Sequence, residues 1–201
     1  MVKNISIGVL GVQGAVSEHV TAMTNVLKET NTSGKTFVVK HKEEINNIDA
    51  LIIPGGESTT ISRVLYKSGL HDAISKRIKE NDLAIMGTCA GCVILAKEII
   101  NDTDNDVKLL HEMDMQVERN AFGRQKESFE KSINIKGFSS PYNAVFIRAP
   151  IIKKTWGNCE TLAEIDKEIV MARQDRFLAL SFHPELTNDL RVHKYFLKMI
   201  V

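Results

Sequence analysis

Long apolar runs are missing from this sequence, and so is any excess of one charge. No stretch approaches the roughly 20 apolar residues that span a bilayer, which excludes a transmembrane helix. The 26 Lys and Arg nearly cancel the 25 Asp and Glu, leaving a formal charge of +1. No global field therefore favours nucleic acid or an anionic membrane, and binding specificity has to reside in a local site. Cysteine is scarce: 3 residues are too few, and oddly numbered, for a disulfide framework. No second cysteine pair or histidine pair has zinc-ligand spacing, so no metal and no cofactor are expected. The N-terminus lacks the hydrophobic segment and cleavage site of a signal peptide. Cytoplasmic location with reduced thiols is the expectation. Repeats, linkers and low-complexity segments are absent too, so residues 1–201 are expected to form a single domain, long enough to bury a core without staples.

What is present alternates between two periodicities. Residues 5–12 form a strand-like run, and Val16, Val20, Met23 and Leu27 then recur at helical spacing. Strand patterns follow at 36–40 and 49–53. A helix carries Ile61, Val64 and Leu65 on one face, 70–80 continues helically, and Leu83-Ala84-Ile85-Met86 leads into Gly87-Thr88-Cys89-Ala90-Gly91 and a helix-compatible stretch from Val93 to Lys97. Strands without alternation, separated by helices, predict an α/β fold with a doubly wound, mostly parallel central sheet covered on both faces. In the second half, 114–119, 131–136, 144–148 and 169–173 are short strand candidates joined by turns, which predicts a smaller antiparallel or mixed region. A buried strand at 177–182 and an amphipathic helix at 190–200, with Val192, Phe196 and Met199, close the chain.

The reactive side chains follow strand ends. Cys89 sits in a glycine-flanked strand-to-helix turn, where helix N–H groups favour a thiolate. A cysteine needs a base, and the base an orienting group; His183 and Glu185 supply both in the order of an acyl-transfer triad. The N–H groups of Ala90 and Gly56 are candidate oxyanion donors. Arg119 and Arg148 end strand-like runs, where a guanidinium could clamp a carboxylate or face solvent. Bland readings stand beside these: Cys89 as a packing residue, His-Pro-Glu as a helix entry. Cys89 and Cys92 also spell a Cys-x-x-Cys dithiol, and oxidation could pair them. His19, His41, His71, His111 and His193 read as surface or interface residues, and Cys159 as incidental.

The nucleophile motif around Cys89 and the base motif His183-Pro184-Glu185 resemble those of class I, triad-type glutamine amidotransferases. The blocks 8–14, Pro54-Gly55-Gly56-Glu57-Ser58-Thr59-Thr60, Asn120-Ala121-Phe122-Gly123-Arg124-Gln125, 146–150 and 181–186 are similar to one branch, the glutaminase subunits of pyridoxal 5′-phosphate synthases. The resemblance covers nearly the whole chain. It implies a flavodoxin-like three-layer fold and hydrolysis of L-glutamine through a γ-glutamyl thioester on Cys89, with His183 as base and then acid and Glu185 as its orienter. It further implies delivery of ammonia to a synthase subunit. Gly56, Glu57, Ser58, Arg119, Ile147 and Arg148 would line the glutamine site, and Gln13 and Gly14 would belong to the partner interface that activates the enzyme. Position 92 is usually aliphatic in that branch. A catalytically silent scaffold and a cysteine hydrolase on the same fold are the alternatives.

Overall fold

The computed structural model describes residues 4–80, 82–100, 106–119, 121 and 128–201. Of the block at 120–125, only Ala121 falls among them. The elements in chain order are β1 (Ile5–Leu10), α1 (Val16–Glu29), β2 (Gly34–Val39), β3 (Ala50–Ile53), α2 (Ser58–Lys67), α3 (Leu70–Lys79), β4 (Ala84–Thr88), α4 (Ala90–Leu95), β5 (Ala96–Ile99), β6 (Met113–Glu118), β7 (Ser128–Ile133), β8 (Tyr142–Ile147), β9 (Ile151–Thr155), β10 (Glu160–Ile165), β11 (Glu168–Gln174), β12 (Phe177–Leu180) and α5 (Arg191–Ile200).

The large sheet runs β2-β1-β3-β4-β12-β11-β9-β6-β5, with β10 on β11. Its first five strands are parallel to one another, whereas β12-β11, β11-β9 and β9-β6 are antiparallel. The antiparallel region expected of the second half thus continues the main sheet, and among the described residues only β7 and β8 stand apart, as an antiparallel pair. Successive residues of β3 explain why no alternation marks its sequence: Ala50 and Ile52 enter one core with Met23, Val26 and Phe196, while Leu51 and Ile53 enter the other with Ile61, Leu65 and Ile74. Both faces are covered by helices, so every position is apolar.

Two expectations need correction. The helix after Cys89 stops at Leu95, and Ala96 begins β5 by pairing with Met113. The carbonyls of Ile94 and Leu95 accept from Leu110 and Glu112 instead of from a further helical turn. Tertiary pairing has overridden a locally helical pattern. Val64 is not on the buried face of α2, which Ser58, Ile61, Ser62 and Leu65 form; it is 39% exposed. Among the described residues no helix is long and apolar enough to cross a membrane.

Candidate active site

Adjacent parallel strands bring the triad residues together. Leu180 of β12 lies in register with Thr88 of β4, so the residues just beyond both strands share one rim of the sheet. The Cys89 N–H donates to the Leu180 carbonyl at 2.8 Å. β3 pairs with β4 on the other side and ends at Ile53, which delivers Pro54, Gly55 and Gly56 to the same rim. This is where ligands bind in open α/β sheets, outside the carboxyl ends of the strands.

Cys89 itself makes the sharp turn, at φ 50° and ψ −105°. A non-glycine residue held in such a region costs about 1–3 kcal/mol and is tolerated only where its surroundings dictate it. The flanking glycines were expected to provide the turn; neither has a positive φ. Their role is close approach: a methyl group on Gly87 would stand 2.4 Å from the Gly91 carbonyl oxygen, and one on Gly91 would stand 2.1 Å from that of Ile53.

His183 Nδ1 lies 2.8 Å from Glu185 Oε1 in a buried contact. Its Nε2 has no hydrogen-bond partner among the described residues. Burial alone would push the imidazole pKa down, but the Cys89 sulfur and the Glu185 carboxylate outweigh it and raise it to about 10. Burial would likewise raise the Glu185 pKa, yet His19 and His183 hold the carboxyl well below the usual range. The Cys89 thiol donates weakly to the Ile147 carbonyl at 3.7 Å. A charged carboxylate, a basic imidazole and a sulfur therefore lie close together.

These groups open into a cleft of about 260 Å³ whose lining includes Gly56, Glu57, Ser58, Arg119, Ile147 and Arg148 together with Cys89, Ala90 and His183. Every candidate substrate residue is thus gathered at one place. The size, at or below the usual small-molecule range of roughly 300–1,000 Å³, suits an amino acid. Arg119 donates to Glu57 Oε1 at 3.1 Å on the rim. A cation and an anion side by side match the amino and carboxylate groups that a free amino acid carries on one carbon. Gly14 also lines the cleft. Gln13 accepts the Glu57 N–H through Oε1 at 2.9 Å, fixing the Pro-Gly-Gly turn, and Gly56 beneath it has φ 146°.

A sequence profile described as the SNO glutamine amidotransferase family matches residues 9–201. The chain belongs to that family. Among its relatives is a protein of Brevibacillus brevis, 48% identical over 197 residues, covering 98% of this chain and 97% of that protein. Others come from Methanococcoides burtonii, 47% identical over 196 residues with 95% and 96% covered, and Pyrococcus furiosus, 46% identical over 198 residues with 98% and 100% covered. All three are named pyridoxal 5′-phosphate synthase subunit PdxT. A crystal structure of a glutamine amidotransferase superposes with TM-score 0.85 at 43% identity, covering 96% of this chain and 98% of that one. A glutamine amidotransferase from Thermotoga maritima, TM-score 0.63 at 12% identity, shares the fold.

This family member differs from the sequence-based picture in two of its histidines. His19 and His193 are fully buried rather than superficial. The signal was there: His19 falls at helical spacing between Val16 and Met23, on the apolar stripe of α1, and His193 falls in the same way before Phe196 on α5. Cys92 is fully buried in α4, and burial drives its thiol pKa far up, which disfavours the thiolate that disulfide exchange requires. Gly55 belongs to the turn expected at this rim, and the structure adds a packing role: a methyl group there would stand 2.5 Å from His183 Cε1 and 3.2 Å from Cys89 Cβ.

Proposed function

We propose that this chain is the glutaminase component of a pyridoxal 5′-phosphate synthase, hydrolysing L-glutamine to L-glutamate and ammonia. The observation that carries the proposal is that Cys89 and His183 line one cleft, with the 2.8 Å imidazole–carboxylate contact to Glu185 behind them and the Glu57–Arg119 pair on the rim.

Glu57 takes the α-amino group and Arg119 the α-carboxylate, so the side-chain amide points down to Cys89, alongside Ser58 and the Ile147-Arg148 segment. The Cys89 thiolate attacks the amide carbon. The N–H groups of Ala90 and Gly56 receive the negative charge on oxygen, each donor being worth about 3 kcal/mol of barrier. His183, protonated and steered by Glu185, gives its Nε2 proton to the departing nitrogen; ammonia leaves and a γ-glutamyl thioester remains. Neutral His183 then draws a proton from water, whose oxygen attacks the thioester carbon, and the proton returns to the thiolate–imidazole pair as glutamate is released.

Ammonia passes to a synthase subunit, which condenses it with sugar phosphates. An enzyme that ran unpartnered would waste glutamine. The Pro54-Gly55-Gly56 turn, tied to Gln13 and lying against Gly14 at the start of α1, is the element that docking resets to complete the oxyanion hole.

Labelling with 6-diazo-5-oxo-L-norleucine, a glutamine-like electrophile, tests the assignment. Expected is covalent capture of Cys89 that glutamine prevents, low glutamate release by the chain alone, and a large increase when the synthase subunit is added. Labelling that glutamine does not compete, or no glutamate with the synthase present, overturns it.

A further inference from the structure

The mechanism above uses neither His19 nor His193, although both are wholly buried beside the triad. His19 belongs to α1, His193 to α5, Thr88 ends β4, and Glu185 follows β12, so three parts of the chain distant in sequence meet here. His19 Nε2 lies 3.2 Å from Glu185 Oε2 and 3.3 Å from Thr88 Oγ1. Its Nδ1 lies 3.2 Å from His193 Nε2.

A proton count fixes the hydrogens. Glu185 is a carboxylate and can only accept, so the His19 nitrogen facing it carries a hydrogen. That N–H is aligned with Thr88 Oγ1, and Oε2 sits beside it without a well-aligned bond of its own. With His19 Nε2 protonated, one hydrogen bridges His19 Nδ1 and His193 Nε2. His193 stays neutral, since burial and the nearby His19 lower its pKa to about 3. Its Nδ1 has no partner among the described residues. Two buried imidazoles are a costly way to fill space, and the arrangement makes sense if they serve the carboxylate.

We infer that His19 is a positioning residue of the triad: its Nε2–H stabilises Glu185 Oε2 and anchors Thr88, leaving Oε1 to orient His183, while His193 holds the His19 ring in place. The inference rests on the glutaminase reading for its link to turnover, but the geometry at Cys89 can be probed without glutamine. The titratable groups facing Glu185 are His19 from α1, His193 from α5, Tyr142 from β8 and His183 from its own turn; those acting on His183 are Cys89 and Glu185.

The test compares His19→Asn, which keeps a polar group only on the side facing His193, with His19→Gln, whose amide nitrogen reaches the place of Nε2. The pH dependence of Cys89 alkylation by iodoacetamide reports the thiolate–imidazolium pair, thermal unfolding reports the fold, and glutamate release with the synthase subunit reports turnover. Expected for His19→Asn is a half-maximal alkylation pH about one unit higher and a kcat/KM about 10- to 100-fold lower, with KM nearly unchanged. His19→Gln should restore both. A folded His19→Asn protein with wild-type alkylation profile and kcat/KM overturns the inference, as does a loss that His19→Gln does not rescue. Wild-type protein that releases no glutamate while His19→Asn still moves the alkylation profile would sink the glutaminase reading and leave the positioning role standing.

Discussion

Gly55→Ala should disable the enzyme with one methyl group. That methyl would stand 2.5 Å from His183 Cε1, 3.3 Å from its Nδ1 and 3.2 Å from Cys89 Cβ. Carbon atoms settle at about 3.5–4.0 Å, so the ring or the turn must retreat by about 1 Å. The ring cannot move freely: its N–H backbone group is bound to Val145 and its Nδ1 to Glu185 at 2.8 Å. A misplacement of about 1 Å at a reacting group costs about 100-fold in rate, and the crowding about 1–3 kcal/mol in stability. Gly55 does not have a positive φ, so alanine meets no backbone penalty and the effect is steric. Gly137→Ala is the matched control, because φ is 85° there with no atom of the described residues within 4 Å of the added carbon. It should cost about 1–2 kcal/mol and leave kcat/KM intact. Glutamate release with the synthase subunit, beside thermal unfolding of both variants, makes the comparison. A Gly55→Ala enzyme within a few-fold of wild-type kcat/KM would refute the packing argument.

Arg119→Ala should raise KM for glutamine about 10- to 100-fold, as expected for a charge-assisted contact, with kcat nearly kept; unfolding should move little, because the Arg119–Glu57 pair is partly exposed. An unchanged KM would remove Arg119 from the substrate site. Acid titration of stability isolates His193: neutral in the fold with a pKa of about 3 and free to protonate near 6.5 when unfolded, it makes stability fall as pH drops from about 6.5 towards 3. Glu185, with its lowered pKa, contributes in the same direction only below its unfolded value of about 4.5. His183, raised to about 10, contributes stability present below about 6.5 and lost as pH climbs towards 10. Denaturant unfolding of wild type and His193→Leu between pH 6.5 and 4.5 should show the slope in the first and a flatter line in the second; parallel slopes would count against a neutral His193.

The fold was readable where a segment's pattern and its surroundings agree. β3 is apolar at every position, and β1 and β4 nearly so, because helices cover both faces, and that is visible in sequence. β5 was not: Ala96 to Ile99 follow Leu95 without a breaker, and only pairing with β6, many residues later, ends the helix there. β9 and β10 were missed because Ile151–Thr155 and Glu160–Ile165 bury only part of their length along the antiparallel part of the sheet, leaving mixed patterns.

The site divides in the same way. Cys89, His183 and Glu185 declare themselves because acyl transfer needs those side chains near strand ends. Gly55 and His19 do not, since what each does depends on atoms contributed by other segments: the His183 ring over one, the Glu185 carboxylate beside the other. A histidine on an apolar helical stripe is nonetheless a local contradiction that sequence does display. The stripe of α1 buries His19 with Ala22, Met23 and Val26, and such burial is sustainable only if something polar waits beneath. What waits is Glu185, the residue already named as the orienter. A polar side chain out of place on a core face therefore points toward the buried end of an active site, as a glycine-flanked cysteine points toward its open end.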